Sequence, residues 1–212
     1  YENTYGTVTV KTQSQDPALS NVEITTYRVD EKYTDKRHPD QVSFTSDLEE
    51  DLARRDFTVN AIASDGKQVI DPFGGQKDLD EKVIKAVGDP SKRFEEDALR
   101  MMRAVRLATE LDFEIEEKTA QAIQDNAGWL QAIAKERIRD EFVKMIMSPS
   151  PDRGISLSYE KGILEYIIPE LTKGVGISQN RHHIYTIYQH ALLSLKFAAE
   201  RNYDLSVRLA SL

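Results

Sequence analysis

The chain has 212 residues, enough for one large domain or two small ones, with 40% hydrophobic and 30% charged residues. The absence of cysteine excludes disulfides, thiolate zinc sites and cysteine nucleophiles. The net charge of -8 argues against a wholly basic nucleic-acid coat protein, but a local strip of arginines would suffice to follow a phosphate backbone. No apolar run approaches the roughly 20 residues that span a bilayer and no signal peptide is visible, so we expect a cytoplasmic protein without a membrane partner.

Two β-strands are predicted near the N-terminus. Residues 7–10 and 21–28 alternate with period two and contain many β-branched side chains. Because a short turn-forming stretch separates them, we expect the two strands to pair antiparallel. On the second strand, Val22 and Ile24 face one side of the sheet and Glu23 faces the other.

The polar stretch that follows, residues 29–46, predicts a long mobile loop, since it carries mixed charge and contains His38-Pro39. A loop of this length in a compact domain is usually either functional or disordered. Its last residue, Ser46, lies three positions before Glu49, which matches a capping box and predicts that a helix begins there.

After residue 88 the chain is predicted to be almost entirely helical, with its central helix at residues 94–110. A charged series with a spacing of three residues runs along this helix and consists of Asp97, Arg100, Arg103 and Arg106. Because neighbours at this spacing touch on a helix surface, we expect Asp97 and Arg100 to lie side by side. The plainest interpretation of the series is a solvated face that carries one ion pair.

Apolar stripes predict further helices at residues 120–130, 138–146, 155–168 and 182–201. The sequence therefore predicts a small α/β unit followed by a helical bundle, with the boundary near residue 88. Tyr1 enters almost directly into a strand pattern, and Leu212 ends inside an apolar helical pattern. For this reason we expect the chain to be a piece of a longer protein.

Four segments resemble the second to fifth conserved motifs of the class II tRNA nucleotidyltransferases, the CCA-adding enzymes, and of the related bacterial poly(A) polymerases. In chain order they are residues 54–61 (RRDFTVNA), 71–79 (DPFGGQKDL), 96–106 (EDALRMMRAVR) and 136–141 (ERIRDE). Four motifs in the family's order make the resemblance specific. It implies an α+β fold with a small polymerase-β-like nucleotidyltransferase sheet head at 1–88, a helical neck with a nucleobase-reading helix at 89–148, and an incomplete helical body at 149–212.

The pairing edges of the bases give a chemical reason for the fourth motif. Cytosine and adenine each present an amino donor beside a ring-nitrogen acceptor, whereas guanine and uracil present an acceptor beside an N–H donor. A carboxylate only accepts hydrogen bonds and a guanidinium only donates them. An Asp and an Arg at a fixed spacing could therefore admit C and A, while G and U would leave buried polar groups unpaired. In the family the matching pair reads the base, and the resemblance assigns that role to Asp97 and Arg100.

The resemblance also assigns the remaining contacts. Arg54 would contact nucleotide phosphate, and Asp56 with Asn60 would hold the ribose 2′-hydroxyl, although these two could instead only cap local turns. Arg103 and Arg106 would present fixed positive charge to the triphosphate or the RNA. The predicted nucleotide-binding set is Arg54, Asp56, Asn60, Glu96, Asp97, Arg100, Arg103 and Arg106, and the predicted RNA-binding set is Arg137 and Arg139.

The family's first motif, a Gly-Gly turn followed by a strand with two metal-binding aspartates, is absent from the sequence. We expect the main Mg²⁺ ligands upstream of Tyr1 and no metal site in this chain, and we do not take Asp78 and Asp80 for one. Glu23 is a candidate third catalytic carboxylate, or simply a solvent-facing strand residue. Nucleotidyl transfer uses such carboxylates to hold Mg²⁺ against the α-phosphate and the attacking 3′-oxygen.

Two further segments have alternative interpretations. Residues 28–42 correspond to the family's flexible loop, which would reshape the pocket between C and A addition, or they are simple surface disorder. Residues 182–190 (HHIYTIYQH) resemble the lead-in to an HD-type metal phosphohydrolase region. The His-Asp pair that such a metal site needs does not follow, so we interpret these histidines as helix-surface residues.

The resemblance therefore implies a template-independent RNA nucleotidyltransferase that adds CCA to the tRNA 3′ end, with tRNA, CTP and ATP as partners and Mg²⁺ as cofactor. A poly(A) polymerase, or an enzyme that adds only C or only A, would share the same motifs. A non-catalytic RNA-binding fragment is the alternative from another class, and the isolated chain is expected to be inactive. An HD-type phosphohydrolase is disfavoured because its metal ligands are missing.

Overall fold

Two antiparallel strand pairs come first among the residues described by the computed structural model, which are 6–16, 19–31, 41–180 and 184–212. Strand β1 (Thr7–Lys11) pairs antiparallel with β2 (Asn21–Thr25), so the predicted antiparallel pairing is confirmed. Strand β3 (Arg28–Glu31) pairs antiparallel with β4 (Gln41–Phe44). The predicted strand 21–28 is therefore divided between β2 and the start of β3. Residues near both ends of the predicted loop 29–46 lie in the paired strands β3 and β4. His38-Pro39 lies outside the described residues.

Helix α1 (Leu48–Ala53) begins one residue later than the sequence pattern predicts. Its N-cap is Asp47, whose carboxylate accepts a hydrogen bond from the backbone N–H of Glu49 at 2.8 Å. The capping box assigned to Ser46 is therefore wrong. An Asp side chain at the cap position reaches the first unpaired N–H groups directly, so it takes the role that was expected of the serine.

A compact group of short elements follows α1. It consists of a 3₁₀ turn (Thr58–Asn60), β5 (Ala63–Ser64), the antiparallel β6 (Val69–Ile70), α2 (Gly75–Asp80) and β7 (Val83–Ile84). The Asp71 carboxylate stabilises the N-terminus of α2, because it accepts hydrogen bonds from the backbone N–H groups of Gly75 and Gln76 at 2.7 and 2.8 Å. A Cβ at Gly75 would collide with the backbone carbonyl of Thr58, so only glycine lets α2 approach the 3₁₀ turn this closely.

The predicted central helix 94–110 is wrong as a single element, because it consists of two helices. Helix α3 (Pro90–Glu96) ends at Asp97, which has extended φ and ψ angles of -148° and 104°, and α4 (Leu99–Leu111) begins after it. The Asp97 carboxylate accepts a hydrogen bond from the backbone N–H of Leu99 at 3.1 Å. A short polar side chain that bonds the backbone in this way competes with helix continuation, so the chain breaks at Asp97.

The remaining elements form the helical bundle. After β8 (Glu114–Ile115), which pairs parallel with β7, they are α5 (Glu117–Asn126), a 3₁₀ helix (Ala127–Ala132), α6 (Lys135–Ile146), α7 (Pro151–Glu160), α8 (Leu164–Ile167), α9 (Pro169–Thr172), α10 (Ile187–Glu200) and α11 (Leu205–Ala210). Helix α4 packs on α6 and α7 at the centre. None of the described helices is long and apolar enough to cross a membrane.

One continuous core joins the N-terminal part to the bundle. Phe57 and Ile84 are fully buried in the same apolar cluster as Met101 and Val105 of α4. At the far end, the buried side chain of Arg208 on α11 donates to the backbone carbonyls that close α6, at Ile146 and Ser148, each at 2.9 Å. The shared core and the packing of α4 on α6 fix both helices relative to residues 54–60, and the three segments surround the candidate site.

Candidate functional site

An open pocket of about 720 Å³ lies between residues 54–60, the start of α4 and one face of α6. Six cationic side chains and four carboxylates line it, in contrast to the net charge of -8 for the whole chain. Such a basic concave surface is suited to a polyanionic ligand. The lining residues are Arg54, Arg55, Asp56, Asn60, Asp97, Leu99, Arg100, Arg103, Arg137, Asp140, Glu141 and Lys144.

Asp56 holds Arg103 at the floor of this pocket. The guanidinium donates from Nε and Nη2 to Oδ2 of Asp56 at 2.8 and 2.7 Å, while Oδ1 accepts from the Asn60 amide at 3.1 Å and from the backbone N–H of Phe57 at 2.9 Å. Burial by itself raises the pKa of Asp56, but the charge of Arg103 and these hydrogen bonds outweigh it, so the pKa lies below its usual value. Asp56 is therefore ionised at neutral pH and fixes both Arg103 and Asn60.

Asp97 is bound by Arg137, not by Arg100. The Arg137 guanidinium donates from Nη2 to Oδ2 at 2.7 Å and from Nη1 to Oδ1 at 3.2 Å, across 40 residues of sequence. The expected side-by-side pairing of Asp97 with Arg100 is therefore wrong. It assumed one unbroken helix, whereas the extended backbone at Asp97 turns its side chain towards α6. Both residues nevertheless line the same pocket.

Arg100 is fixed by a different set of acceptors. Its Nη1 donates to Glu96 at 2.6 Å and to the backbone carbonyl of Arg93 at 3.3 Å, and its Nη2 donates to the carbonyl of Arg54 at 3.2 Å. Glu96 also forms an ion pair with Arg93 at 2.6 Å. The structure thus places Glu96 beside Arg100 and outside the pocket lining, where it orients the guanidinium.

Arg106 also lies beneath the pocket surface. Its side chain is 12% exposed and forms ion pairs with Glu110 and Glu141, each at 2.6 Å. Burial by itself raises the pKa of Glu141, but the hydrogen bond from Lys144 and the charge of Arg106 outweigh this effect, so the pKa lies below its usual value. Arg106 therefore shapes the site through Glu141, and the predicted contact with triphosphate or RNA would require it to leave these partners.

Asp51 is a site-forming residue that the sequence reasoning missed. It is 1% exposed and accepts from Arg54 at 2.6 Å and from Arg55 at 3.3 Å, so it holds two arginines of the pocket wall. It also accepts from the backbone N–H of Arg28 at 3.3 Å, which ties the β3–β4 hairpin to this wall. The signal was available, since a carboxylate three residues before an arginine on a helix predicts such a pair.

Glu141 and Lys144 were also missed as site residues. Glu141 lies inside the fifth motif and Lys144 follows on the same face of α6, three residues later. That spacing indicated that the two side chains share one face of α6, but it did not indicate that this face is directed towards the pocket.

Two predicted residues lie apart from the pocket chemistry. Glu23 is exposed on β2, opposite Thr9 of β1, and does not line the pocket. Arg139 is exposed and forms an ion pair with its neighbour Asp140 at 2.7 Å. Arg139 is available at the surface for an RNA contact, whereas the guanidinium of Arg137 is engaged by Asp97.

The motif carboxylates Asp56, Asp78 and Asp97 are each engaged by another protein group and do not form a donor set for Mg²⁺. No group of three or more His, Asp or Glu side chains in the described part of the chain is placed to hold a metal ion. Asp78 accepts the Thr58 hydroxyl at 2.6 Å, and Asp56 and Asp97 are each bound by an arginine. His182 and His183 lie outside the described residues.

Comparison with protein families identifies two regions of the chain. Residues 2–85 match the Poly A polymerase head domain, and residues 112–174 match the domain described as "Probable RNA and SrmB- binding site of polymerase A". CCA-adding enzymes are similar over most of the chain. That of Lactobacillus helveticus is 54% identical over 68% of this chain and 35% of its own length, and that of Enterococcus faecalis is 44% identical over 82% and 42%. The chain thus spans about a third to two fifths of these relatives' length.

Solved structures show the same fold. The Bacillus stearothermophilus CCA-adding enzyme in complex with CTP is 40% identical, with a TM-score of 0.70 over 82% of this chain and 41% of that chain. A tRNA nucleotidyltransferase complexed with a primer tRNA and an incoming ATP analog is 26% identical, with a TM-score of 0.69 over 98% of this chain and 56% of that chain. The fold is the expected α+β arrangement of a polymerase-β-like nucleotidyltransferase head followed by helices. With two family domains in order and relatives of this similarity, the chain belongs to the family of the class II tRNA nucleotidyltransferases and poly(A) polymerases.

Proposed function

We propose that the protein is a template-independent RNA nucleotidyltransferase that adds C, C and A to the 3′ end of tRNA from CTP and ATP. The observation that carries this proposal is that an acceptor-only Asp97 and a donor-only Arg100 line one basic pocket. The similarity to CCA-adding enzymes, one of them in complex with CTP, supports the same reading.

Base selection would follow from the fixed orientation of the two side chains. The Arg100 guanidinium is held by Glu96 and by two backbone carbonyls, and the Asp97 carboxylate is held by Arg137. Asp97 would accept from the amino group of C or A, and Arg100 would donate to the ring nitrogen. A G or U would oppose acceptor to acceptor and donor to donor, and such unpaired buried groups are strongly disfavoured.

The remaining lining residues would bind sugar and phosphate. Arg54 lies on the pocket wall and Arg103 at its floor, so their guanidinium groups could neutralise a triphosphate. We propose that Asp56 and Asn60 hold the ribose 2′-hydroxyl from the same floor, while they also keep Arg103 in place. An exposed Arg139 on α6 would contact the RNA backbone.

The reaction joins the RNA 3′-oxygen to the α-phosphate of the nucleotide and releases pyrophosphate. Enzymes of this family usually require a divalent cation, and we propose Mg²⁺, held by the aspartate pair of the family's first motif. Residues 1–212 do not contain that motif, and Asp56 and Asp97 are each paired with an arginine, so we propose that this chain's part is to select and position the nucleotide. The division into head 1–88, neck 89–148 and body 149–212 and the cytoplasmic location stay predictions.

The direct test is to incubate the full-length protein with a tRNA that lacks its CCA end and with each nucleotide triphosphate in turn. We expect efficient addition of C and then A, and at least tenfold slower use of UTP and GTP. Addition of only A would favour the poly(A) polymerase alternative, and equal use of all four nucleotides would contradict base reading. We expect the 212-residue chain alone to bind CTP more tightly than UTP without transferring it. A non-catalytic RNA-binding module would show no such preference, so this binding comparison separates the two functions.

A further inference from the structure

We propose that Arg137 is a positioning residue for base selection, an inference that rests on the proposed function of Asp97. The pair connects α6 to the extended residue between α3 and α4, and both side chains are mostly buried, with 23% and 15% exposed. Both oxygens of the carboxylate are engaged, at 2.7 and 3.2 Å. A two-point contact of this kind fixes the plane of the carboxylate as well as its position.

The hydrogen bonds on Asp97 leave room for one more donor. A carboxylate has about four acceptor positions, two on each oxygen. Among the contacts of the described residues, Oδ1 accepts from the backbone N–H of Leu99 and from Arg137, and Oδ2 accepts once from Arg137. The remaining position lies on Oδ2, and a single N–H of the amino group of cytosine or adenine would occupy it.

Fixing the carboxylate matters because uracil and guanine also carry an N–H donor, displaced by one ring atom from the amino position. A carboxylate that can rotate about its Cβ–Cγ bond could follow that donor and accept from it. Arg137 prevents this rotation, so the wrong bases meet an acceptor in a fixed place. Arg137 and Glu96 then have matching tasks, since the first orients the acceptor Asp97 and the second orients the donor Arg100.

A lysine could not replace this function fully. The planar guanidinium presents two parallel N–H donors, whereas an ammonium group acts as a point charge and leaves the carboxylate plane unconstrained. The Arg137→Lys variant should therefore retain the link between α6 and Asp97 and lose part of the base discrimination, and Arg137→Gln should lose more of it.

The experiment compares kcat/KM for CTP and UTP in the full-length protein, as wild type, Arg137→Lys and Arg137→Gln. We expect the CTP-to-UTP ratio to fall about tenfold or more in Arg137→Gln and by a smaller factor in Arg137→Lys. The matched control is Arg153→Gln, because Arg153 also joins distant elements, with 24% exposure and a 2.8 Å ion pair to Glu114, and is not one of the pocket-lining residues. It should lower the melting temperature without changing the ratio.

The outcomes separate this inference from the proposed function. If Arg137→Gln and Arg137→Lys lower kcat/KM for CTP and UTP equally, Arg137 is only a structural link and the inference is wrong. If Asp97→Asn loses discrimination while both Arg137 variants keep the wild-type CTP-to-UTP ratio, the inference is wrong and the proposed function stands. If Asp97→Asn itself leaves the ratio unchanged, base reading fails and the inference falls with it. Should Arg137→Gln fail to fold, the Arg137→Lys ratio decides alone, since that variant retains the charge.

Discussion

The β1–β2 hairpin and helix α4 both carry predicted site residues, yet they are built in opposite ways. The apolar side chains of the hairpin, such as Val8 and Ile24, are 58% and 59% exposed, whereas Met101 and Val105 of α4 are fully buried. The pocket-lining arginines of α4, Arg100 and Arg103, are held by identified carboxylates, while Glu23 of the hairpin is exposed. Contacts among the described residues therefore fix the positions of the α4 side chains at the site, whereas the side chain of Glu23 is not fixed in this way.

Core truncation should separate the two regions most strongly. Met101→Ala removes a fully buried core side chain of α4, and loss of buried methylene groups together with the cavity left behind should destabilise the chain by about 3 kcal/mol. The matched change on the hairpin, Ile24→Ala, should cost less than about 1 kcal/mol because the side chain is 59% exposed. Urea unfolding followed by circular dichroism measures both, and equal losses would contradict the contrast.

Removal of one pocket carboxylate should have the next largest effect. Asp56→Asn removes the ionic partner nearest to Arg103 and leaves Glu141 at 4.0 Å, and since Arg103 is one third exposed we expect a loss of about 2 kcal/mol rather than the larger cost of a fully buried charge. CTP binding by the 212-residue chain should weaken as well. Glu23→Gln is the control on the hairpin, and its unfolding midpoint should match that of the wild type. A wild-type-like stability of Asp56→Asn would show that Arg103 does not depend on this pair.

Acid should produce a smaller, graded effect with a defined sign. The folded-state pKa values of Asp56 and Glu141 lie below their usual values, so the unfolded chain binds more protons and stability rises with pH. The stabilisation is complete above the unfolded-state pKa values of about 4 and is lost as the pH falls through the lower folded-state values. The urea midpoint should fall less between pH 6 and pH 3 in an Asp56→Asn, Glu141→Gln double variant than in the wild type. Parallel pH profiles would contradict these assignments.

The sequence predicted which segments form the site better than it predicted which residues contact each other. The antiparallel β1–β2 pair and the helical nature of the chain after residue 88 follow from local periodicity, and the structure confirms them. The motif pattern likewise placed Arg54, Asp97 and Arg100 together, and all three line the pocket.

Partner choice could not be derived in the same way. The helix break at Asp97 results from one side chain competing for a backbone N–H, and local periodicity does not show which of the two arrangements forms. The pairing of Asp97 with Arg137 spans 40 residues and depends on how α6 packs beside α4. Local spacing favoured Arg100 as the partner, and only tertiary packing reverses that preference.

We propose that the carboxylate at position 97 selects the base, and the most direct measurement is the ratio of CMP to UMP incorporation by the Asp97→Asn variant of the full-length protein. An amide both donates and accepts, so it can meet the uracil carbonyl as well as the cytosine amino group. We predict that the ratio falls at least tenfold relative to the wild type. A ratio that stays at the wild-type value would contradict the account.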